Sequence, residues 1–261
     1  MTTPPAGRFP VIGTWIDSTD PSRTVETITR WIASGRREYV CVANVHSVME
    51  GRRDPALRTA YNAAGLTVPD GMPLVWTGRQ LGHADVRRVY GPDLMLSLCA
   101  TAAQRGWPCY FYGGGPGVAS RVAAVLGRRF PGLRVAGASA PPFRALDPEE
   151  EESERRGIND ARPTLVFVAL GCPKQERWMA AQRPHLEAAV LIGVGAAFDF
   201  HAGTVRQAPR WMMRAGLEWL FRFSQEPRRL WHRYLVYNPL FVLHVLMQIL
   251  GRRRHAPDEE P

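Results

Sequence analysis

The chain has 261 residues, of which 45% are hydrophobic and 22% charged, a composition ordinary for a soluble globular protein of one large domain or one domain with an appendage. Its four cysteines have no C-x-x-C spacing, which argues against zinc and disulfide frameworks and predicts reduced thiols. The net charge is +9, and the N-terminal stretch MTTPPAGRFP lacks the apolar segment of a signal peptide, so we expect a cytoplasmic protein with a flexible N-terminus over residues 1–9.

Short apolar runs alternate with helix-like segments along the first 200 residues. The runs cover residues 39–45, 66–69, 109–113, 133–137, 164–171 and 189–195. Their hydrophobicity is continuous, as is typical of strands that are buried on both faces. Between them, Asp147 and Pro148 followed by acidic residues mark the start of a helix. The pattern predicts an α/β fold over residues 10–208, a doubly wound, mainly parallel sheet with flanking helices.

Polar residues that directly follow the apolar runs are the candidates for a site, because ligands of such sheets bind beyond the carboxyl ends of the strands. In chain order they are Asn44 and His46, Asp70, the turn 113–117, Lys174 to Glu176, and Asp199.

Asp70 follows the run LTVP and precedes a glycine. A carboxylate at this point can take a proton from a substrate hydroxyl, but Pro-Asp-Gly is also a common turn. The residues alone leave both roles open. Asp199, between two phenylalanines, is likewise either a backbone cap or a site residue.

The stretch YFYGGGPGVAS places a glycine-rich turn between a strand and a helix. Such a turn presents free backbone N–H groups to a phosphate, although it can also be a tight turn without a ligand. The dinucleotide-binding fingerprint is incomplete, because its third glycine and the acidic residue about 20 positions on are missing.

In FVALGCPKQERWM, an apolar run delivers three polar residues to the first turn of a predicted helix. Lys174, the only lysine of the chain, offers a point charge to a phosphate. Gln175 can donate to and accept from sugar hydroxyls, and Glu176 can pair with an arginine or orient its neighbours.

From residue 209 the pattern changes to a basic, aromatic segment without strand-like runs. Residues 205–254 hold ten arginines and two acids, which predicts phosphate or an anionic membrane surface as the partner. The apolar stretch 235–250 is too short to span a membrane, for which ~20 residues are needed, so we favour an interfacial helix; a helix packed on the core is the alternative. We expect an appendage over residues 209–250 and a disordered tail over 251–261.

No D-x-D or H-E-x-x-H motif occurs, so the sequence predicts no metal and no cofactor. Without a metal, the charge of a nucleotide diphosphate would be neutralised by arginines and helix termini.

Seven stretches together resemble the WecG/TagA/CpsF family of bacterial glycosyltransferases. In family order, over roughly residues 10–235, they are ANVHSV, PDGMPLVW, RVYGPDLM, YFYGGGPG, LGCPKQERWM, GVGAAFDFHAGTVRQAPRWM and GLEWLFRFSQEPRRLWHRY. The resemblance implies an inverting transferase that moves N-acetylmannosamine, or another UDP-linked hexose, to a polyprenyl-diphosphate-linked sugar in cell-surface polysaccharide synthesis. It also implies a peripheral location on the inner face of the cell membrane.

The resemblance assigns roles residue by residue. Asp70 matches the proposed catalytic base, Asn44 the asparagine after the first long strand, and Gln175 the glutamine of the P-K-Q-E motif. The basic appendage, thought to close over the active site, contributes Arg222, Arg228, Arg229 and Arg233. The remaining predicted substrate-binding residues are His46, Gly113, Gly114, Gly115, Lys174, Glu176 and Asp199. Relatives often carry a threonine where this chain has Val42, so a hydroxyl contact expected there is missing.

Other functions compete with this interpretation. The basic pI would suit a nucleic-acid-binding protein, but no standard binding motif occurs and the charge lies at one end. The glycine-rich turn would suit a nicotinamide-dependent oxidoreductase, against which the incomplete fingerprint argues. A non-catalytic nucleotide-binding α/β protein is a third alternative. We predict no nucleic-acid partner, and the sequence leaves a homo-oligomer open.

Overall fold

A computed structural model of the protein describes residues 7–251. Its strands are β1 (Arg8–Val11), β2 (Thr14–Asp17), β3 (Glu38–Ala43), β4 (Leu66–Pro69), β5 (Cys109–Gly113), β6 (Val135–Ser139), β7 (Leu165–Ala169) and β8 (Val190–Gly193). Its first nine helices are α1 (Pro21–Ala33), α2 (Val45–Arg53), α3 (Pro55–Asn62), α4 (Met72–Gln80), α5 (Gly91–Arg105), α6 (Val118–Arg129), α7 (Pro148–Asp160), α8 (Lys174–Gln182) and α9 (Ala197–Ala202). The C-terminal helices are α10 (Arg210–Arg214), α11 (Glu218–Gln225), α12 (Pro227–Trp231), a π-helical turn His232–Val236, and α13 (Tyr237–Ile249).

Strands β3 to β8 form one parallel sheet in the order β4-β3-β8-β7-β5-β6. Each of them overlaps one of the predicted apolar runs, with β6 shifted by two residues toward the C-terminus, so the α/β fold class is confirmed. In β7, Val166 and Val168 face one layer of helices while Leu165 and Phe167 face the other, and all four side chains are buried. Burial on both faces explains why the hydrophobicity of these strands is continuous rather than alternating.

Helices cover both faces of the sheet. One core, which contains Met49, Leu74 and Met179, lies under α2, α4 and α8, and the other, which contains Ile28 and Leu98, lies under α1, α5, α6 and α9. Helix α7 begins as predicted, with the Asp147 side chain accepting a hydrogen bond from the backbone N–H of Glu150. Helix α8 begins at Lys174, directly after Pro173, so its first turn carries the three polar residues as predicted.

The antiparallel hairpin of β1 and β2 was not predicted. Arg8 pairs with Asp17 at 3.0 Å across the hairpin, and the Asp17 carboxylate accepts a hydrogen bond of 2.6 Å from the backbone N–H of Thr67 in β4. Phe9 is buried in the core. The ordered structure therefore starts inside the segment 1–9, for which we expected flexibility; residues 1–6 of that segment lie outside the described residues.

The C-terminal helices pack on the sheet domain with one face of α13. Tyr237, Phe241 and Val245 are buried in the core under α2, and Gln248 bonds to Pro10 and Ile12 of the hairpin region at 2.8 and 2.9 Å. One face of α13 therefore packs on the core, which was the alternative to the interfacial helix that we favoured from the sequence. Of the tail expected over residues 251–261, only Gly251 is described. No helix within residues 7–251 has the length and apolar character needed to cross a membrane.

Candidate active site

A cleft of about 840 Å³ opens where the parallel strands end, and the C-terminal helices form its opposite wall. Its size lies within the range of small-molecule sites. Most of the predicted site residues line it together: Asn44, His46, Asp70, Gly114, Gly115, Lys174, Gln175, Asp199, Arg222, Arg229 and Arg233. Side chains separated by up to about 190 positions in sequence therefore meet in one place, as the rule for parallel sheets predicts.

Asp70 stands at the end of β4, where its backbone N–H continues the sheet by donating to Ala43 O at 2.8 Å. Its side chain is 19% exposed, and Oδ1 accepts a hydrogen bond from Arg88 Nη2 at 3.3 Å. Arg88 Nε also donates to the backbone carbonyl of Asp70. Because Arg88 donates hydrogen bonds to both the side chain and the backbone of Asp70, the carboxylate is held in one orientation toward the cleft.

The pKa of Asp70 is raised to about 6, chiefly because burial disfavours the carboxylate. Arg88 opposes this shift by attraction, and the negative charge of Glu218 adds to it. A carboxylate with a pKa near 6 is mostly ionised at neutral pH and is a stronger base than an exposed aspartate. Asp70 therefore has the environment of a general base.

Glu218 of α11 and Arg88 connect the appendage to the Asp70 carboxylate. Arg88 Nη2 donates to Glu218 Oε2 at 2.6 Å, and the guanidinium lies 4.4 Å from the centre of the Tyr90 ring. Tyr90 donates from its hydroxyl to Glu218 Oε1 at 3.3 Å and accepts from Gln207 Nε2 at 3.0 Å. Arg88, Tyr90, Gln207 and Glu218 were not among the predicted site residues. Arg88 and Tyr90 are the first and third residues of a family-like motif, RVYGPDLM, and this was the available signal.

Asn44 and Arg233 join the two walls of the cleft on the side of β3. The Asn44 side chain caps α2 by accepting from the backbone N–H of Ser47 at 3.3 Å, and Arg233 Nη2 donates to the same oxygen at 3.4 Å. Burial lowers the pKa of Arg233, with the positive charge of Arg222 adding to the effect. Two arginines close enough to repel each other in a buried site form a strong attraction for an anion.

His46 lies beside this arginine pair and lines the cleft. Its ring stacks on Tyr237 with 5.7 Å between centroids, and its Nδ1 lies 3.8 Å from the Glu50 carboxylate. Burial, together with the charges of Arg233 and His232, lowers the pKa of His46 to about 3. At neutral pH the ring is uncharged, so it can donate a hydrogen bond to a ligand or accept one from it, but it adds no positive charge.

Gln175 forms part of the cleft floor at the start of α8. Its amide lies against Gly193 and Gly195, where a Cβ would come within 3.1 Å of Nε2 and 3.4 Å of Oε1, respectively. Nε2 donates to Glu176 Oε1 at 2.9 Å, whereas Oε1 has no hydrogen-bond partner within the described part of the chain. A buried acceptor without a partner is costly unless a ligand satisfies it, so Oε1 is available to a substrate hydroxyl.

The glycine turn after β5 and the residues Lys174 and Asp199 line the cleft as well. Gly114 and Gly115 precede α6, so the N-terminal end of this helix points toward the cleft. Lys174 is exposed at the first residue of α8. The Asp199 carboxylate accepts a hydrogen bond of 3.3 Å from the Thr204 hydroxyl. A phosphate in the cleft would thus have two helix N-termini and a lysine nearby.

Of the predicted substrate-binding residues, Gly113 and Arg228 do not line the cleft, and Glu176 lines it only from beneath Gln175. Gly113 is buried with φ of 107°, and a Cβ there would come within 2.6 Å of the Ala169 carbonyl oxygen, so its glycine is required by backbone packing. Glu176 is 0% exposed beneath Gln175, and burial raises its pKa. Arg228 is exposed on α12 and is not part of the lining. In this arrangement Gly113 shapes the backbone behind the cleft, Glu176 supports Gln175, and Arg228 lies apart from the cleft, while their predicted roles in substrate binding stay predictions.

No group of three or more His, Cys, Asp or Glu side chains within residues 7–251 is arranged to hold a metal ion. The positive groups that face the cleft are arginines and one lysine. The arrangement as a whole places the Asp70 carboxylate, among other acidic side chains, opposite several cations in a partly enclosed space. Such a site can remove a proton from a nucleophile while stabilising a leaving group that becomes negatively charged.

Comparison with known proteins gives a consistent result. The sequence profile described as the Glycosyl transferase WecG/TagA/CpsF family matches residues 9–255. An N-acetylglucosaminyldiphosphoundecaprenol N-acetyl-beta-D-mannosaminyltransferase of Bacillus spizizenii is 30% identical over 232 residues, which cover 89% of this chain and 88% of the relative. A protein of the same name from Bacillus subtilis is 30% identical over 199 residues, which cover 76% of this chain and 75% of the relative.

Proposed function

Because the chain belongs to the WecG/TagA/CpsF family of glycosyltransferases, we propose that it transfers a hexose from a UDP-sugar to a polyprenyl-diphosphate-linked sugar with inversion at the anomeric carbon. The hexose is N-acetylmannosamine or a close relative of it, as the names of the two bacterial enzymes suggest. The observation that carries the proposal is the meeting of Asp70, Asn44 and Gln175 with Arg222 and Arg233 in one cleft.

In the proposed reaction, Asp70 takes the proton of an acceptor hydroxyl as the hydroxyl oxygen attacks the anomeric carbon. The bond from that carbon to the diphosphate oxygen breaks on the opposite face, and UDP departs with the bonding electron pair. One bond forms and one breaks in a single displacement, so the configuration at the carbon inverts. The proton ends on Asp70, whose raised pKa suits it to accept and later release it.

The departing diphosphate gains negative charge, which the cations of the cleft would stabilise. Arg222 and Arg233 approach from the appendage, and Lys174 from the sheet domain. Gln175 offers Oε1, which no described residue engages in a hydrogen bond, to a sugar hydroxyl, and the N-terminal end of α6 faces the phosphates. Removing one such preorganised group typically costs on the order of 10²–10³ in rate.

The location that we propose is the surface of an anionic membrane. The appendage exposes large apolar side chains, among them Trp231, Leu235, Leu240 and Leu243, next to basic residues. Contiguous exposed apolar groups mark interaction surfaces, and each basic residue near an anionic bilayer adds ~1 kcal/mol of attraction. The double substitution of Leu240 and Leu243 by glutamine should reduce sedimentation with anionic vesicles. Unchanged sedimentation would reject a membrane contact through this face.

A donor screen tests the proposal directly. The purified chain is mixed with N-acetylglucosaminyl diphosphoundecaprenol in detergent and with UDP-N-acetylmannosamine, UDP-N-acetylglucosamine or UDP-glucose, and the release of UDP is measured. We expect acceptor-dependent UDP release with at least one donor, and a glycosidic bond of inverted configuration in the product. The same rate in excess EDTA is expected, since arginines replace a metal. Absence of acceptor-dependent release with every donor would contradict the proposed function.

A further inference from the structure

A second, mostly apolar groove of about 550 Å³ meets the active-site cleft at Asp70. The groove runs between α4 and the C-terminal helices, and its walls include Met72, Trp76 and Trp219. At its inner end it shares Asp70, Arg222 and Arg233 with the cleft. The two spaces are thus continuous at Asp70 and at the arginine pair, but they differ in chemistry: the cleft has a mixed polar and apolar lining, whereas the groove is lined mainly by carbon.

Helix α13 is mostly apolar, with Asn238, His244 and Gln248 as its polar side chains, and its three faces have different surroundings. The first face packs on the core through Tyr237 and Phe241. The second face carries Val242, Leu246 and Ile249 along the groove. Their spacing of four and three residues places them on one side of a helix with 3.6 residues per turn. These three side chains are 55%, 51% and 43% exposed, so the groove face is open to a ligand. The third face carries the outward side chains Leu240 and Leu243.

We propose that this groove binds the polyprenyl chain of the lipid-linked acceptor, an inference that rests on the proposed function. The chain lies along Val242, Leu246 and Trp76, its diphosphate reaches the arginines at the inner end, and its sugar hydroxyl meets Asp70. The donor occupies the polar cleft on the other side of Asp70. The groove thereby selects a prenyl chain as the carrier of the acceptor sugar and sets the direction from which it arrives.

The alternative occupants fit the groove less well. The segment that follows Gly251 reads RRRHAPDEEP and has no large apolar side chain with which to fill it, and the stretch MTTPPA at the other end has only Met1. A second copy or a protein partner would have no reason to meet the arginine pair and Asp70 at the inner end. A ligand that is apolar at one end and anionic at the other matches the groove along its whole length.

Binding of farnesyl diphosphate and of inorganic diphosphate tests the groove without requiring sugar transfer. Calorimetric titration of the full chain should show tighter binding of farnesyl diphosphate, because only this probe reaches the apolar walls. Val242→Gln should weaken farnesyl diphosphate binding about tenfold and leave diphosphate binding unchanged. Val135→Gln is the matched control, since Val135 is 43% exposed on the edge strand β6, away from the groove. This variant should keep the wild-type preference for farnesyl diphosphate over diphosphate. Leu246→Gln is a second groove variant at a half-exposed position.

Equal affinities of the wild type for both probes would overturn the inference, as would equal losses in the Val242 and Val135 variants. The transfer reaction gives a second readout: Val242→Gln should raise KM about tenfold for an undecaprenyl-linked acceptor and leave KM for a dimethylallyl-linked acceptor unchanged. A chain that binds farnesyl diphosphate as expected but transfers no sugar would refute the proposed function and support the groove. A chain that transfers sugar without any preference for the prenyl chain would refute the groove alone.

Discussion

The two walls of the active-site cleft are built in different ways. Asp70 and Gln175 follow strands whose side chains are buried on both faces, so the sheet fixes their positions. Arg222 lies on α11, a helix with no buried residue, and Arg233 lies on a π-helical turn in which only Tyr234 is buried. The sheet wall is therefore held by a large core, whereas the appendage wall depends on a few contacts.

Those contacts lie at both ends of the appendage, and they include polar pairs as well as the packing of one face of α13 on the core. Glu218 holds α11 to Arg88, and Tyr237 of α13 donates to Glu50 at 2.7 Å and accepts from Arg53 at 2.9 Å. Segments held by few buried contacts open more easily than a core. We infer a division of labour: the sheet wall carries the chemistry, and the appendage wall completes the site by adding positive charge.

The largest effect should come from the sheet wall, at Asp70. Asp70→Asn preserves the size of the side chain but removes its basicity, so we expect kcat to fall by about 10³, within the range of 10²–10⁴ for a general base. The Kd for the UDP-sugar should change little, because the donor binds on the cationic side of the cleft. Rates from UDP release and affinities from calorimetry check both expectations.

Asp160→Asn is the control for this substitution. Asp160 is exposed at the end of α7 and does not line the cleft, so its variant should retain the wild-type rate. A near-normal rate in Asp70→Asn would show that another group takes the proton. It would also contradict the inference that the sheet wall carries the chemistry.

The next largest effect should come from the appendage wall. Arg222→Ala removes a cation that lines the cleft, and we expect a loss of about 10²–10³ in kcat/KM. Arg228→Ala removes the same charge from an exposed position outside the lining, where about a twofold change or less is expected. Assays in detergent keep membrane attraction out of the comparison. Equal losses in the two variants would mean that the appendage acts through its total charge and not through positioned groups.

The sheet and the ends of its strands were predictable because the signals are local. A strand buried on both faces has a continuous apolar run, and the strand-end rule brought Asn44, Asp70 and Gln175 to one edge before any contact was known. The beginning of α7 was predicted from Asp147 and Pro148 for the same reason.

The parts that escaped prediction depend on partners far apart in sequence. The β1–β2 hairpin contains Pro10, and its docking depends on Asp17 reaching the backbone of Thr67. The pair Arg88 and Glu218 spans 130 positions, so no local pattern connects the two residues. The enclosure of Glu176 could not be predicted either, since helical spacing does not say which polar side chain of a first turn points inward.

The smallest effect that we predict is a pH dependence that involves both walls, Asp70 on the sheet and Glu218 on the appendage. Asp70 acts as a base only when it is ionised, and its pKa is about 6, so kcat/KM should be nearly constant above pH 7 and fall about tenfold for each unit below pH 6. A rate that stays constant from pH 7 to pH 5 would contradict this ionisation.

Glu218→Gln should shift the acidic limb of this pH profile, which is the fall of kcat/KM below pH 6. The reason is that the negative charge of Glu218 contributes to the raised pKa of Asp70. With the charge removed, the carboxylate form of Asp70 is less disfavoured and Arg88 is shared with one anion fewer. Both changes lower the pKa of Asp70, so the limb should shift to lower pH, while the weaker base reduces the plateau by a few-fold. Arg155 and Glu152 of α7 form an ion pair at 3.2 Å, and neither residue lines the cleft, so Glu152→Gln serves as the control that should leave the profile in place. A purely structural role for Glu218 would lower the plateau without moving the limb, and only the shift would show that the appendage tunes the base on the sheet.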